Sequence, residues 1–512
     1  MAGDARSDPR DVPTALRDRI LEHDLGKTSR RRCTESPLNR SNLHHWIDGE
    51  HHASSSARTF ESLNPEDDSV IATAACGDAG DVALAVDSAA QAFERFQDLG
   101  PSQREAILLR AAELLQQRSA DFRDLLIREI GSPVGKASME IGIATRVLKA
   151  NAAMARRMTG RTYSSDVPGR WSLGFRKPLG VVASITPFNV PLIKGIKHSS
   201  MPLATGNTVV WLPSQQTPLI AAAIAQLYHD AGLPAGALNI VLGDGAEIGD
   251  DLVSAPQIAA VCFTGSAAVG RHVQSMCGRH GKRVTLELGG KNPLIVLDDA
   301  NLDAAVDAAV RGGFIYQGQI CMASSRVIVD ESLAEAFTER FVAASESLGM
   351  GELTDPKTVI GPIITANARQ RIRDHLADAV DGGASILCGN RWTNHRVNPT
   401  IVSGVTASMK LFREETFGPV VSIETANDRQ HALELANASP GMLSAAVFTS
   451  DLDAAMTFAD SLGTAMVHVN DMTIQQEPEV PFGGDGLSGF GREGMETGIE
   501  DFTTWKWVTL RN

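Results

Sequence analysis

Between residues 180 and 300 the sequence alternates short β-branched runs with longer stretches of helical character, and this alternation restricts the fold most. The runs are VVASI (181–185), NTVVWL (207–212), LNIVL (238–242), IAAVCF (258–263) and NPLIVL (292–297). Helices are predicted between them, over 191–204, up to Gly232, from about Ala246 and from about Ala267. Apolar strands that alternate with helices predict an α/β fold with a parallel sheet covered on both faces.

Ligands of such an open sheet bind beyond the carboxyl ends of its strands. Three polar segments lie there: TPFN (186–189) after the first strand, LPSQQ (212–216) after the second and FTGS (263–266) after the fourth. We therefore expect the binding site at this edge. Upstream, residues 82–130 have apolar side chains at spacings of three and four, which predicts amphipathic helices.

Composition excludes several classes of function. The net charge of -14 argues against nucleic-acid binding, which needs a clustered basic face. Six cysteines without C-x-x-C spacing predict neither a disulfide framework nor a structural zinc site, and the histidines of HHWIDGEHH (44–52) are expected to be solvated rather than metal-binding. Since no apolar run reaches the roughly 18–20 residues that cross a bilayer and no signal-peptide core is present, we expect a cytoplasmic protein without membrane contact.

Two glycine patterns, at 484–489 and 489–494, match the spacing G-x-G-x-x-G of dinucleotide-binding turns. That fingerprint needs a preceding strand, a following helix and an acidic residue about 20 positions later. Only 18 residues follow Gly494, so the glycines are predicted to form a turn-rich loop.

Six motifs occur in a fixed order: PFNVPL (187–192), FTGSAAVG (263–270), LELGGKNP (286–293), GQIC (318–321), EETFGPV (414–420) and PFGG (481–484). Together, from about Leu43 to the C-terminus, they resemble the aldehyde dehydrogenase superfamily. The segments YQGQICMAS, EPEVPFGG and IEDFTTWKWVT are most similar to the benzaldehyde, vanillin and salicylaldehyde dehydrogenase branch. The resemblance implies a Rossmann-type cofactor domain, an α/β catalytic domain and a β-hairpin oligomerisation arm.

The same resemblance implies three catalytic residues, and the chemistry of aldehyde oxidation explains them. A thiolate, Cys321, adds to the carbonyl carbon, because a bare carbonyl does not release a hydride readily. The side-chain amide of Asn189 and the N–H of Cys321 stabilise the oxyanion, and Glu287 activates the water that hydrolyses the thioester. Taken alone, Cys321 could equally be a buried thiol, Asn189 a turn residue and Glu287 a surface charge.

The implied cofactor is NAD, with NADP less favoured, and no metal is expected. FTGS lies between a strand and a helix, where free N–H groups and the helix dipole favour a pyrophosphate. The family usually has Lys and often Glu where this chain has Leu212 and Gln215, so the adenosine ribose would be held without a charged group. The residues expected to contact the cofactor are Thr186, Pro187, Phe188, Ser214, Gln215, Gly265, Ser266, Val269, Leu288, Gly289, Glu415 and Phe417.

Five further residues are expected to line the substrate tunnel by the resemblance: Val190, Lys194, Lys197, Ile320 and Met322. A lysine there would attract a phenolate, hydroxyl or carboxylate of the substrate; the alternative is that both amines reach solvent or a subunit interface.

Residues 162–178 resemble the protruding hairpin of the family and are expected to pair with WKWVTL (505–510) of another subunit in a homodimer or homotetramer. The expected domains are a disordered extension (1–42), the cofactor domain (43–159 and 179–289), the arm (160–178 and 496–512) and the catalytic domain (290–495).

Other functions stay open on the sequence. Within the fold the substrate could be an aliphatic aldehyde or a semialdehyde; an acylating enzyme that uses coenzyme A is disfavoured because its branches commonly lack the Glu found here at 287. From another class, the chain could be a cofactor-free thiol esterase or a non-redox relative.

Overall fold

The structure, a computed structural model, describes residues 41–511. Five short strands come first: β1 (Asn42–Leu43), β2 (His45–Ile47), β3 (Glu50–His52), β4 (Thr59–Leu63) and β5 (Val70–Ala75). Four helices follow: α1 (Ala79–Phe96), α2 (Pro101–Gln117), α3 (Ser119–Ile130) and α4 (Val134–Met154). The helices predicted over 82–130 are confirmed. All but the last two residues of the predicted 1–42 extension lie outside the described residues.

The middle of the chain contains the predicted alternation. Its elements are β6 (Arg161–Tyr163), β7 (Arg170–Pro178), β8 (Val181–Ile185), α5 (Pro191–Ala204), β9 (Thr208–Leu212), α6 (Pro218–Asp230), β10 (Leu238–Ile240), α7 (Gly245–Ser254), β11 (Ile258–Gly265), α8 (Ala267–Arg279) and β12 (Arg283–Leu288). Every strand and helix predicted here is confirmed to within a few residues.

The last part builds a second sheet and its helices. Its elements are β13 (Asn292–Val296), α9 (Leu302–Phe314), β14 (Ser324–Asp330), α10 (Ala334–Glu346), α11 (Ala366–Asp381), β15 (Ser385–Cys388), β16 (Trp392–Thr393), β17 (Arg396–Val397), β18 (Thr400–Ser403), α12 (Lys410–Arg413), β19 (Val420–Ala426), α13 (Arg429–Asn437), β20 (Ala445–Phe448), α14 (Leu452–Ser461), β21 (Val467–Val469), β22 (Gly489–Phe490), α15 (Met495–Phe502) and β23 (Thr503–Arg511).

The first large sheet has the strand order β22-β12-β11-β8-β9-β10-β2-β3. Its five central strands are parallel. The chain runs outward from β8 through β9 to β10, then returns to the other side of β8 with β11 and β12. The carboxyl ends of β8 and β11 therefore form a topological switch point, the place where open α/β sheets bind ligands.

The second large sheet has the order β15-β18-β19-β14-β13-β20-β21 and is parallel except for β15. The first connection between the two sheets is short, residues 289–291, because β12 ends at Leu288 and β13 begins at Asn292; the chain returns to the first sheet over residues 470–488, between β21 and β22. The carboxyl end of β12 and the amino ends of β13 and β14 consequently meet between the sheets.

The arm is a three-stranded sheet of order β23-β7-β6. The prediction that the C-terminal strand pairs with the hairpin of another subunit is wrong: β23 pairs with β7 of its own chain from Thr503↔Pro178 to Arg511↔Arg170. Both faces of the arm carry large exposed side chains: Trp171 lies on one face and Trp507 on the other. Among residues 41–511, no helix is both long and apolar enough to cross a membrane.

One histidine of the 44–52 segment departs from the expectation of solvation. His45 is fully buried, with its Nε2 3.3 Å from Asp81 Oδ2 and its Nδ1 accepting the Leu242 N–H at 3.1 Å. Burial lowers the pKa of His45, so the imidazole contributes as a neutral packing group.

Candidate active site

The segments that follow β8, β11 and β12 lie side by side because these strands are neighbours and parallel. Thr186 opens the segment after β8; its N–H donates to Leu212 O at 3.3 Å, and its hydroxyl accepts the Trp211 indole N–H at 2.8 Å. Asn189, three residues further, is 3% exposed. Asn189 is thus tightly packed at the ligand-binding edge of the sheet that the strand order predicts.

Cys321 lies just before β14, at the end of a loop with an unusual backbone. The φ angles of Tyr316, Gln317 and Gly318 are +49°, +46° and +69°. Non-glycine residues adopt this left-handed conformation at a cost of roughly 1–3 kcal/mol each, so the loop needs anchors. The Gln317 amide supplies two, donating to Pro362 O at 2.7 Å and accepting the Gly361 N–H at 2.9 Å.

Two asparagine amides hold the cysteine segment in place. Asn189 Nδ2 donates to Gln319 O at 3.0 Å, and Asn292 Nδ2 donates to Cys321 O at 2.8 Å. The Asn189 carbonyl in turn accepts the Lys136 ammonium at 2.7 Å. The structure therefore brings Asn189 to the backbone two residues before Cys321, and one further amide N–H of Asn189 is left to donate.

Glu287 lies near the end of β12, 3% exposed, and neither of its carboxylate oxygens has a hydrogen-bond partner among residues 41–511. A Cβ on Gly483, whose φ is +155°, would lie 2.6 Å from Glu287 Oε1, so glycine makes room for the carboxylate. Burial raises the pKa of Glu287 to about 8, opposed mainly by the positive charge of Lys194. Such a carboxyl can take and return protons near neutral pH.

The Cys321 thiol is surrounded by charged groups. Burial raises the pKa of Cys321 to about 12; Lys194 lowers it, while Glu287, Glu415 and Glu493 raise it. The charge of Glu287 thus acts on the Cys321 thiol, although Glu287 lies in β12 of the first sheet and Cys321 precedes β14 of the second. The cysteine remains partly exposed, as a nucleophile requires.

The two predicted tunnel lysines lie in a buried ion-pair cluster. Lys194 Nζ and Lys197 Nζ are each 2.8 Å from a different oxygen of Glu493, and His198 Nε2 lies 3.0 Å from Oε1. The lysines are 3% and 9% exposed, so the alternative in which they reach solvent is wrong. Both ammonium groups also lie over the Phe482 ring, at 5.3 and 4.5 Å from its centre.

Glu493 is the residue that sequence reasoning missed. It stands in the second G-x-G-x-x-G pattern, in the stretch correctly predicted not to form a dinucleotide-binding turn. Backbone hydrogen bonds of 2.7 Å in both directions join Glu493 to Phe482 and close this loop beneath Glu287. A glycine-rich loop therefore positions the Glu493 carboxylate at the site.

The predicted pyrophosphate segment begins a helix. Ser266 caps α8, its hydroxyl accepting the Val269 N–H at 3.4 Å, directly after Gly265 ends β11. Val269, in the first turn, is 49% exposed although apolar. Leu288 packs beneath this turn, where a Cβ on Gly270 would lie 2.4 Å from it. The helix terminus and an apolar contact surface are both open to a ligand.

Glu415 faces the connection between the sheets. A Cβ on Gly289 would lie 2.2 Å from Glu415 Oε2, so this glycine lets the carboxylate reach the backbone, where the Gly290 N–H holds it. Burial raises the pKa of Glu415 to about 7, opposed by Lys291 and Arg371. Within residues 41–511, no cationic side chain forms an ion pair with this carboxylate.

Two aromatic side chains meet in the same cleft. Phe417 has a φ of +52°, a strained conformation for a bulky residue, and its ring stands edge-on to Phe188 at 5.9 Å between centres. Phe188 follows Pro187, and both are half-buried after β8. Strain of this kind persists where the surroundings impose it, commonly at ligand sites.

Leu212 and Gln215, which stand where the family usually has Lys and often Glu, lie in different surroundings. Leu212 ends β9 and is 2% exposed in the core, which agrees with the alternative that it simply packs. Ser214 and Gln215 lie in the half-buried turn that follows, where Ser214 accepts the Gln216 N–H at 3.2 Å. The structure places Gln215, but not Leu212, where a ligand can reach it.

Three predicted substrate residues are apolar and surround the cysteine. Ile320 and Met322 flank Cys321 and are buried, while Val190 follows Asn189 and is half-buried. Ile320 and Met322 belong to the hydrophobic cluster against which both Val190 and Cys321 pack. Cys321 is therefore packed against apolar side chains.

A switch-point edge that faces a cysteine, an amide and a buried carboxylate is the arrangement expected of an α/β enzyme with a dinucleotide site. The chain belongs to the aldehyde dehydrogenase family, whose model matches residues 51–508. It is 40% identical over 458 residues to a vanillin dehydrogenase of Pseudomonas fluorescens, covering 89% of this chain and 95% of the relative. The resemblance inferred from the six motifs is confirmed.

Solved structures of the same family superpose closely. A salicylaldehyde dehydrogenase from Pseudomonas putida G7, crystallised with salicylaldehyde, has a TM-score of 0.90 at 35% identity, with 92% of this chain and 99% of that chain covered. A betaine aldehyde dehydrogenase from Staphylococcus aureus in complex with NAD+ has a TM-score of 0.90 at 30% identity, with 93% and 96% covered. The predicted α/β fold of this family is confirmed.

Proposed function

We propose that the chain oxidises aldehydes, preferentially aromatic ones, to carboxylic acids with NAD. The observation that carries the proposal is that Asn189 bonds to the Cys321 segment while the buried Glu287 carboxylate, which has no hydrogen-bond partner in the described part of the chain, acts on the same thiol. The similarity to vanillin and salicylaldehyde dehydrogenases supports an aromatic substrate, and the neighbour bound to NAD+ supports the cofactor.

Each residue has a defined task. The Cys321 thiolate forms a bond to the aldehyde carbon, and the Asn189 amide with the Cys321 N–H stabilises the resulting oxyanion. NAD, when bound, supplies the hydride acceptor that converts the adduct into a thioester. Glu287 then takes a proton from water, which attacks the thioester and releases the acid and the thiol.

The residues present fit a dinucleotide. The capped terminus of α8 at Ser266 offers N–H groups to a pyrophosphate, and the exposed Val269 offers apolar contact to a base. The Glu415 carboxylate, held at Gly289, can accept from ribose hydroxyls, and Gln215 can do so at the other ribose. With Leu212 in the core, no cation replaces the missing Lys there, which favours NAD over NADP.

The test is absorbance at 340 nm with benzaldehyde, salicylaldehyde, vanillin, acetaldehyde and succinic semialdehyde, each with NAD and with NADP. We expect the highest kcat/KM for an aromatic aldehyde with NAD. A preference for the aliphatic substrates would overturn the aromatic assignment, and a preference for NADP would overturn the argument from Leu212. Hydrolysis of p-nitrophenyl acetate without any aldehyde oxidation would indicate the thiol esterase instead.

The proposal includes a homodimer or homotetramer in the cytoplasm. The large apolar side chains exposed on the two faces of the arm support self-association. The free thiols at Cys76, Cys262, Cys277 and Cys388 fit a reducing compartment.

A further inference from the structure

The Lys136 side chain is buried where three segments of the site meet. Lys136 and Glu140 lie one turn apart in α4, and both side chains are buried. The Lys136 ammonium donates to Glu140 Oε2 at 2.5 Å and to the main-chain oxygen of Asn189 at 2.7 Å. It also lies over the Tyr316 ring, 4.2 Å from the ring centre. Lysine is almost never fully buried unless it is paired, and these three contacts supply its partners.

The contact with Asn189 fixes the main chain that carries the Asn189 amide. Asn189 lies just before α5, and the first turn of α5 is capped by the same carboxylate that pairs with Lys136. Glu140 Oε1 accepts the Leu192 and Ile193 N–H groups at 2.9 and 3.3 Å. The ion pair therefore holds the chain at Asn189 and again three residues later.

The contact with Tyr316 fixes the loop that leads to Cys321. Tyr316 has a φ of +49°, and its hydroxyl donates to the main-chain oxygen of Ile130 at 2.9 Å. The Lys136 ammonium adds a cation–π interaction, which is strengthened by the exclusion of water. Both contacts of the Tyr316 side chain come from residues 130–136, the segment that also holds Asn189.

The relative position of the two segments matters because each carries one of the proposed oxyanion donors, the Asn189 amide and the Cys321 N–H. Such donors stabilise the charge only if they are in place before it forms. A displacement of about 1 Å can lower a rate by roughly a hundredfold. One buried ammonium that bonds to both segments can set the distance between the two donors.

We infer that Lys136 is a positioning residue of the oxyanion site: its ammonium holds the Asn189 main chain against the Cys321 loop, so that the Asn189 amide and the Cys321 N–H point at one oxygen atom. Lys136 itself does not touch the aldehyde and acts through Asn189. The inference rests on the proposed function in taking these two groups as the oxyanion donors.

The test compares two reactions of Cys321, of which only one forms an oxyanion. NADH formation in a single turnover, measured at 340 nm with the chain in excess over benzaldehyde and with saturating NAD, passes through the oxyanion; carbamidomethylation by iodoacetamide does not. Lys136→Met should slow NADH formation by about 10- to 100-fold and change the labelling rate of Cys321 by less than about twofold. Lys149→Met, the same substitution at an exposed position of α4, should change neither rate.

A double-mutant cycle with Asn189→Ala shows whether Lys136 acts through the amide. Asn189→Ala should slow NADH formation by about 100- to 1,000-fold, because it removes one donor. Adding Lys136→Met to that variant should slow it by no more than about threefold further, because two residues that act as a unit are not additive. Effects of the two substitutions that multiply in full would overturn the inference.

A wild-type rate of NADH formation in Lys136→Met, or equal slowing of NADH formation and of labelling, would overturn it as well. If Lys136→Met does not fold, Lys136→Met/Glu140→Gln removes both buried charges and keeps an oxygen for the cap of α5. This variant must show the same slowing, and a wild-type rate in it would contradict the role of Lys136. A wild type that forms no NADH from any of the five aldehydes, or an unchanged rate in Asn189→Ala, would instead overturn the proposed function, and with it the inference.

Discussion

Glu287 has to be ionised to accept a proton, yet its pKa lies near 8 because the carboxyl is buried and no group of the described part of the chain hydrogen-bonds to it. A raised carboxyl pKa means that the active base is lost as pH falls below 8. Where thioester hydrolysis limits turnover, kcat should fall about tenfold for each unit below that value. Steady-state kcat between pH 6 and 9 checks this, with circular dichroism to confirm that the chain stays folded. A kcat that stays constant from pH 6 to 8 would contradict the role of Glu287.

Among single residues, the sequence nominated those that stand in the six family motifs and missed Glu493, which lies outside them. Cys321, Glu287 and Asn189 could be named because six motifs follow in order. Glu493 could not, since a buried acid in a glycine-rich loop has the same local pattern as a solvated one. The lysines were expected near the site, but their shared partner is 296 residues or more away in the chain.

At the scale of elements, the helices α5 and α6 begin with a proline and lack a side-chain cap of their own. A buried glutamate from another helix serves each. Glu140 accepts the Leu192 and Ile193 N–H groups, and Glu129 accepts those of the first turn of α6. Such long-range caps cannot be recognised in the local sequence pattern, whereas the alternation of strands and helices can.

Glu140→Ala should therefore lower both stability and activity. It leaves two buried N–H groups unpartnered at the start of α5, the helix that carries Lys194, and it removes the carboxylate partner of the Lys136 ammonium, at a cost of about 3–5 kcal/mol. Glu129→Ala is the matched control: it should also lower the free energy of unfolding but leave kcat/KM largely unchanged. Urea unfolding and 340 nm kinetics measure the two effects. If Glu140→Ala keeps the wild-type kcat/KM, the cap that Glu140 provides does not support the active site.

Across the whole molecule, the exposed arm is the feature that a single chain leaves unsatisfied. Trp171 and Trp507 are 61% and 69% exposed on a sheet with free edges. We expect light scattering to give a mass at least twice that of one chain. Trp171→Glu should reduce it to that of a monomer, since burying a carboxylate in an apolar interface is unfavourable. A wild-type monomer at micromolar concentration would contradict this.

The overall topology could be anticipated, but the identity of pairing partners could not. Alternation of apolar runs and helices predicts the parallel sheet and its ligand edge from residue order alone. The C-terminal strand was expected to pair with another subunit. The residue pattern of a strand shows that a sheet edge must be covered, but it does not show which chain covers that edge. The domain limits drawn from the sequence stay predictions.

The central claim is that Cys321 carries the acyl group and Glu287 releases it. The most direct measurement is rapid-quench mass spectrometry of Glu287→Gln mixed with benzaldehyde and NAD. We expect a benzoyl group on the Cys321 peptide, accumulating to nearly one per chain, and none in the Cys321→Ala/Glu287→Gln variant. Turnover at the wild-type rate without an adduct, or an adduct on another residue, would contradict the account.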